Sequence, residues 1–382
     1  MESNKNSKLF NAYVFLTTFS RNLLEVFVGS ILYKLGFSLH TVIFYYLLVN
    51  LFSIIIAVPA THISKKYSNK FLSIVGISSF LALQIVLLNI KKKMIYIYAV
   101  AFLFSLYRRA YWIARRYYTM QIIDDKKNIA TKYSVISILN QLGVIVASYC
   151  GSLFLQFFTI KVIIIISAVL LTISLVLLFK LNFEYEKNDI KLNLIETMKC
   201  TPKSSMLHIS CYEMQNVVKF LFPLFIIIYI KDTYTAVGII NLLCNISSLI
   251  FTYIYGRLIN NKKNFLRISI FLVIFIKLCQ INTSGIILMI LSFIEGFACR
   301  MYEQSLHKEH FKLSKSFEYF NYNYMYEMVM DLSRLFVVAI LFLFVNDVRV
   351  MLYVTLAIMS IPLLVNFKTE SKKKDSPVLW KE

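Results

Sequence analysis

The sequence is poor in charged residues, and in acidic residues above all. Only 16% of its 382 residues are charged, and just 20 of them are Asp or Glu. Hydrophobic residues make up 58%, and the mean hydropathy is +0.67. Soluble globular domains are about 25% charged and about half apolar. One water-soluble core cannot hide this many apolar side chains, which excludes a soluble globular protein.

Cysteine and histidine are also scarce, with six and five residues. The cysteines show no paired spacing and lie mostly in apolar segments, so we expect buried thiols and no disulfide framework. Glu303, His307 and His310 are three donors without a fourth, and we expect no metal site there. The sequence also lacks a nucleophile–base pair, a phosphate-cradling loop and a nucleotide-binding domain. We therefore expect neither an enzyme nor a cofactor.

Apolar segments long enough to cross a bilayer recur along the chain, for example residues 71–90 and 160–179. We predict an all-α integral membrane protein with twelve transmembrane helices. Their predicted spans are 10–33, 41–61, 71–90, 94–118, 131–157, 160–181, 207–230, 234–256, 265–282, 284–303, 319–345 and 348–367. The polar start and the length of the first apolar segment argue against a cleavable signal peptide.

The distribution of Lys and Arg predicts the orientation of these helices. With both termini in the cytoplasm, 30 of the 41 basic residues lie in cytoplasmic segments, as the positive-inside rule requires. Eight lie in external segments, among them Lys277 and the run Lys91–Lys93. We expect a multi-pass protein of the cell membrane. The net charge of +21 follows from this topology and from attraction to anionic lipid, so we expect no nucleic-acid partner.

The chain divides into two similar parts. The segment LLVNLFS (47–53) matches LLCNISS (242–248), which places Asn50 opposite Asn245. A basic segment follows the second predicted helix of each part. We predict an N-terminal six-helix bundle, a cytoplasmic linker, a C-terminal six-helix bundle and a cytoplasmic tail: residues 1–181, 182–206, 207–367 and 368–382. The two bundles would be six-helix pseudo-repeats.

A loop motif accompanies this architecture. After the eighth predicted helix the chain has Gly256, Leu258, Lys262 and Lys263, with Asn260 at the position of an expected Asp. With its six-plus-six architecture, the chain resembles the major facilitator superfamily along essentially its whole length. The corresponding loop of the first part departs further from the family pattern. In the family this Asp helps to hold the cytoplasmic ends of the helices together. Its replacement leaves that contact in doubt here.

Small residues in the fifth predicted helix follow the spacing of the superfamily's exporter motif. They are Ser134, Gly143, Ala147, Ser148, Gly151 and Ser152. The Pro and several Gly of that motif are absent here. The resemblance favours export over import, and close packing of helices is the other explanation for these residues.

Two oppositely charged side chains lie in the first predicted helix. Arg21 and Glu25 are four residues apart and share one helix face, so they can form a pair that lowers the cost of placing either in hydrocarbon. Their counterparts in the second part are Asn216 and Phe220, so the pair is not part of the repeat. A task in substrate or proton binding and a plain salt bridge between helices both fit this pattern.

The fourth predicted helix is dense in arginine and aromatic residues. Arg108 and Arg115 lie on one stripe of the helix, together with Trp112, and Arg109 and Arg116 lie on the next. Arg115 and Arg116 suit a membrane interface, whereas the other two arginines lie about 10 Å deeper. We expect Arg108 or Arg109 to face a central cavity, where the planar guanidinium suits carboxylate or phosphate.

Carboxylates are spread over both predicted bundles. In the eleventh predicted helix Glu327, Asp331 and Arg334 form one continuous stripe, and Glu213 and Glu295 lie in the seventh and tenth. Protonatable carboxylates that face a cavity are typical of proton-coupled carriers. A structural stripe of ion pairs between helices would use the same residues.

The resemblance implies a secondary active transporter with a central cavity between two bundles that open alternately. We expect a monomer that uses protons to export an amphipathic organic anion, drug or antimicrobial peptide-like product, with resistance as the outcome. The predicted pathway residues are Arg21, Glu25, Asn50, Arg108, Arg109, Trp112, Glu213, Asn245, Glu295, Glu327, Asp331 and Arg334. The alternatives are an importer of a peptide, nucleoside or organic acid, and a non-transporting membrane or immunity protein of the same fold.

Overall fold

The computed structural model is helical in most of the residues that it describes. These are residues 2–66, 68–123, 129–181, 194–231, 233–258, 265–314 and 319–364. No β-strand occurs within these ranges, so the all-α prediction is confirmed for them. The α-helices are α1 (Glu2–Asn22), α2 (Val28–Lys34), α3 (Leu39–Lys66), α4 (Asn69–Leu88), α5 (Met94–Ile123), α6 (Ile129–Phe157), α7 (Ile160–Lys180), α8 (Leu194–Cys200), α9 (Lys203–Phe225), α10 (Tyr234–Leu258), α11 (Phe265–Ile281), α12 (Gly285–Ser314), α13 (Tyr319–Phe344), α14 (Val348–Met359) and α15 (Ile361–Leu364).

The helices follow the predicted order along the chain. The first predicted helix corresponds to α1 and α2, the second to sixth to α3–α7, the seventh to eleventh to α9–α13, and the twelfth to α14 with α15. The short helix α8 lies in the predicted linker, and α9 already begins there, at Lys203. We call α1–α7 the N-terminal set and α8–α15 the C-terminal set.

The first predicted helix is interrupted near its middle. α1 ends at Asn22, a 3₁₀ turn spans Glu25–Phe27, and α2 follows. At this break α6 approaches so closely that a Cβ on Gly151 would lie 2.7 Å from the carbonyl oxygen of Leu23. A glycine at position 151 therefore allows the interrupted helix to pack against α6.

The helices pack in the same order within each set. In the N-terminal set α1 contacts α6 and α7, α3 contacts α5, and α4 contacts α5 and α7. In the C-terminal set α9 contacts α13 and α14, α10 contacts α12, and α11 contacts α12 and α14. The most extensive contacts between the sets join α3 to α13 and α6 to α10. These two contacts hold the sets side by side.

Eight spans within the described residues are long and apolar enough to cross a membrane. They coincide with α1 plus α2, α3, α4, α6, α7, α9, α10 and α12. The remaining four predicted crossings stay predictions. α5 and α13 carry several charged side chains, while α11 and the α14–α15 segment are each only 17 residues long.

Large apolar side chains lie on the outer surface of the helices. Ile55, Ile85, Ile165, Ile286 and Phe336 are all exposed, although each lies in a long apolar helix. Apolar patches of this extent on a soluble protein mark a contact surface. Here they suit the hydrocarbon of a bilayer.

We expect Gly151→Ala to destabilise the protein, because the new Cβ would collide with a backbone oxygen of the broken helix. Overpacking of this kind costs about 1–3 kcal/mol. Gly143→Ala is the matched control on the same helix, since its Cβ would lie 3.3 Å from the Phe15 carbonyl oxygen and needs only a small shift. Thermal unfolding in detergent measures the loss of stability in each of the two variants. A loss for Gly143→Ala equal to or larger than that for Gly151→Ala would contradict the explanation.

Candidate functional site

A cavity of about 600 Å³ lies between the two sets of helices. Its wall is formed by α1, α2, α3, α5 and α6 of the N-terminal set and by α9, α12 and α13 of the C-terminal set. Both sets therefore contribute side chains to one cavity.

Most of the charged side chains that line this cavity are cationic. Seven lining residues are basic, namely Arg21, Arg108, Arg115, Arg116, Lys219, Arg300 and Arg334. Three are acidic, namely Glu25, Glu303 and Glu327. Cavities of one charge sign with low-dielectric walls concentrate ions of the opposite sign. The lining therefore favours anions over cations.

A network of ion pairs joins α5 to α13 across the two sets. Arg109 and Arg116 both pair with Glu327, and Arg109 also pairs with Asp331. Arg108 donates to Asp331 Oδ1 at 3.0 Å. The Arg109 side chain is 2% exposed and that of Asp331 is fully buried. A buried charge without a partner is strongly unfavourable, so the two helices depend on each other for neutralisation.

The network continues within the C-terminal set. Arg334 on α13 pairs with Asp331 at 2.6 Å and with Glu213 Oε2 on α9 at 2.8 Å. Glu213 is fully buried and also accepts from Asn216 Nδ2 at 3.1 Å. Four arginines thus meet three carboxylates over α5, α13 and α9.

A second group of side chains surrounds Trp112 on the α5 side of the cavity. Arg21 Nε lies 2.7 Å from Glu25 Oε2, and the Arg21 guanidinium carbon lies 5.3 Å from the Trp112 ring centroid. The guanidinium carbon of Arg115 lies 4.8 Å from the same centroid. Arg115 also donates to Asn140 Oδ1 at 2.8 Å. The indole therefore holds two guanidinium groups at the cavity wall through cation–π contacts.

The family described as Major Facilitator Superfamily matches residues 12–302 of the chain. This range covers most of the chain and includes residues of both sets. The chain belongs to the major facilitator superfamily. The resemblance noted from its motifs is thereby confirmed, and the protein is a transporter of this superfamily and not an enzyme. No curated protein matches the chain in sequence.

Solved structures of other transporters are similar to the chain in fold. A variant of the nucleoside transporter NupG has a TM-score of 0.73 at 12% identity and covers 94% of this chain and 98% of its own. A bacterial metal transporter has a TM-score of 0.62 at 12% identity, with 94% and 97% covered. The human organic anion transporter MFSD10 has 0.66 at 11% identity, with 95% and 99% covered. Identities this low establish the shared fold alone.

The predicted counterparts Asn50 and Asn245 occupy different environments. Asn50 lines the cavity, and its Oδ1 accepts a hydrogen bond from Arg108 at 3.2 Å. Each donates to the backbone oxygen four residues earlier in its own helix, Asn50 at 2.9 Å and Asn245 at 2.8 Å. Among the described residues Asn245 does not line the cavity. The repeat in sequence therefore does not extend to equal positions at this site.

Several other predicted pathway residues do not reach the cavity surface. Arg109, Glu213 and Asp331 lie behind its wall within the network of ion pairs. Glu295 lies elsewhere, between α11 and α12, and its Oε2 is 2.9 Å from Lys277 Nζ. The assignment of Lys277 to an external segment was wrong, because its side chain is buried within α11 and paired there.

The small residues of α6 lie against neighbouring helices. A Cβ on Gly143 or Gly151 would contact backbone oxygens of the interrupted first helix, and Ser152 lies against Gly238 of α10. Ala147 and Ser148 are also buried. The described residues of this motif do not line the cavity, so their observed role is close packing.

Some of the predicted residues fall outside the described side chains. They are Ser134, Gly256, Leu258, Asn260, Lys262, Lys263, His307 and His310. In the described part of the chain, no group of three His, Cys, Asp or Glu side chains forms a metal site.

Sequence reasoning missed the cavity residue Arg300 on α12. Arg300 lies on α12, which continues to Ser314, beyond the predicted end of that helix at residue 303. Arg300 pairs with Glu303 at 2.8 Å and donates to Ser137 of α6 at 2.8 Å. The three-residue spacing of Arg300 and Glu303 on an apolar helix was the available signal.

We expect Glu327→Gln to loosen the contact between α5 and α13, because it leaves Arg109 and Arg116 positively charged without this carboxylate. The measurement is the rate at which an impermeant maleimide labels Asn323→Cys, at the cavity wall, with the six native cysteines replaced by serine. We expect a several-fold faster reaction. Glu295→Gln is the matched control, since it removes a buried carboxylate from a pair within one set. Equal labelling rates for the two variants would contradict this role of Glu327.

Proposed function

We propose that the protein is a monomeric secondary active transporter of the cell membrane, with twelve transmembrane helices in two six-helix pseudo-repeats. The bundles are residues 1–181 and 207–367, and both termini are cytoplasmic. The identical order of helix packing in the two sets supports the repeat. The excess of Lys and Arg in the segments assigned to the cytoplasm supports the orientation.

The substrate that suits the cavity is an amphipathic organic anion, a class that includes anionic drugs and peptide-like antimicrobial products. The observation that carries this proposal is the lining of seven basic and three acidic side chains. Aromatic rings of Tyr45, Tyr46, Trp112, Tyr212 and Phe220 line the same space and offer apolar surface. Metal cations would be repelled by the excess charge, and neutral nucleosides would gain nothing from it. One structure of similar fold is that of a human organic anion transporter, and an anionic substrate agrees with this lining.

Proton-coupled export is the proposed direction, supported by the exporter-like spacing of small residues in α6. Exchange requires that the carrier reorient with either ligand bound. A proton on Glu327 removes its charge, and an anion at Arg116 competes for the guanidinium, so each ligand alone weakens the ion pairs between α5 and α13. Efflux and resistance to a toxic anion would follow from this cycle.

Import is the second candidate, and the same contact favours it. Arg116 and Glu327 both line the cavity, so an anion that binds Arg116 releases Glu327 Oε1, which can then accept a proton while Oε2 stays paired with Arg109. Proton and anion would then bind together and move in the same direction. The sign of the coupling distinguishes the two candidates.

We expect purified protein in proteoliposomes to accumulate 5-dimethylaminonaphthalene-1-sulfonate (dansylate) when the lumen is acidic. This sulfonate stays charged, so a pH gradient does not move it as it moves a weak acid. With the membrane potential held at zero by potassium and valinomycin, one-for-one exchange gives up to about tenfold accumulation per pH unit. Accumulation in an alkaline lumen would identify the importer. No accumulation with either gradient, against protein-free liposomes, would contradict transport of this class of anion.

We expect Glu327→Gln to lose this pH-driven accumulation while it still exchanges internal for external dansylate. The amide cannot carry the proton, whereas the cationic lining that binds the anion remains. Glu295→Gln, which leaves the cavity lining unchanged, should retain both activities. Full pH-driven accumulation by Glu327→Gln would exclude Glu327 as the proton site.

A further inference from the structure

Two cationic side chains line the cavity without an acidic partner among the residues that the structure describes. We propose that Arg115 and Lys219, one from each set of helices, bind the anionic group of the substrate. Arg115 lies on α5 of the N-terminal set and Lys219 on α9 of the C-terminal set. This inference rests on the proposed function and assigns the charge recognition to two particular residues.

Arg115 is held at the cavity wall by neutral groups. Its Nη2 donates to Asn140 Oδ1 at 2.8 Å and its Nη1 donates to the Tyr111 hydroxyl at 3.1 Å. The residue is 7% exposed, and it forms no ion pair with any described residue. These contacts fix the orientation of the guanidinium and leave its positive charge uncompensated.

Lys219 is an exposed residue of the C-terminal set that lines the same cavity. Its Nζ lies 6.0 Å from the ring centroid of Tyr212, and it too forms no ion pair within the described ranges. Glu303 lines the same space, but its carboxylate is 2.8 Å from Arg300. The lysine charge therefore remains available for an anion.

The other lining arginines already pair with carboxylates. Arg21 pairs with Glu25 at 2.7 Å, and Arg300 pairs with Glu303 at 2.8 Å. The arginines of the α5–α13 network share Glu213, Glu327 and Asp331. An incoming anion would have to break an existing pair at any of them, whereas at Arg115 and Lys219 it would not.

The surroundings of the two side chains indicate the rest of the ligand. Trp112 lies against Arg115, and Phe220 follows Lys219 in the chain and stacks on Tyr46 with centroids 3.8 Å apart. A guanidinium fork binds paired oxygens of a sulfonate, carboxylate or phosphate, and an ammonium group adds a point charge. The site thus fits an aromatic ring that carries one such anionic group.

Trp112 is a built-in reporter of this site. The chain has two tryptophans, so Trp380→Phe leaves the cavity indole alone. Energy transfer from Trp112 to a dansyl group then reports binding to the purified protein in lipid nanodiscs, without any gradient. The probes are dansylate, which carries a charged sulfonate, and its neutral isostere dansylamide, which carries a sulfonamide in its place.

We expect Lys219→Gln and Arg115→Gln each to weaken dansylate binding by about tenfold, because each removes one charge-assisted hydrogen bond. Dansylamide binding should change less than twofold. Arg115→Lys and Lys219→Arg should retain the preference for the anion, which separates loss of charge from misfolding. Lys161→Gln, at an exposed position away from the cavity, is the matched control.

Equal weakening of both probes, or unchanged dansylate binding in Lys219→Gln and Arg115→Gln, would overturn the proposal. Because this assay needs no transport, its outcome is independent of coupling and direction. Parent-like transport by a variant with unchanged binding would refute the site and leave the proposed function standing. Charge-dependent binding without transport would support the site and refute the proposed function.

Discussion

The ion pairs between α5 and α13 are the interaction on which the arrangement of the two sets depends. Arg109, Arg116, Glu327 and Asp331 are charged groups at the boundary between the sets, and each is neutralised by the opposite helix. Charged groups within a membrane carry a high free-energy cost unless they pair with an opposite charge or face water. The cavity lies beside these pairs, so whatever occupies it acts on the contact that joins the sets.

The charges that line the cavity explain why it favours anions and why a bound ligand affects the contact between the two sets. Most of the lining arginines pair with carboxylates, whereas Arg115 and Lys219 pair with none of the described carboxylates. An anion therefore meets two free cations and, close by, arginines that exchange partners only when a carboxylate is displaced or protonated. The same group of side chains therefore binds the ligand and holds the two sets together.

Local spacing was enough to predict part of this site. The pairing of Arg21 with Glu25 and the stripe from Glu327 to Arg334 follow from helical periodicity alone. The partners of that stripe on α5 did not follow, because their approach depends on how two distant helices pack. Glu295 was assigned to the pathway because sequence indicates that a carboxylate lies in a helix but not which face meets the cavity. The helix order was predictable throughout, whereas the break in the first helix was not, and Gly151 gives α6 the room to pack against that break.

A double-mutant cycle on Arg116 and Glu327 tests the central claim most directly. Arg116→Gln, Glu327→Gln and the double variant are compared with the parent by the rate of dansylate exchange in proteoliposomes. If the two side chains act through their mutual contact, the double variant deviates from the sum of the single effects by about 0.5–3 kcal/mol. Additive effects within error would contradict the claim that this ion pair links the cavity to the contact between the sets.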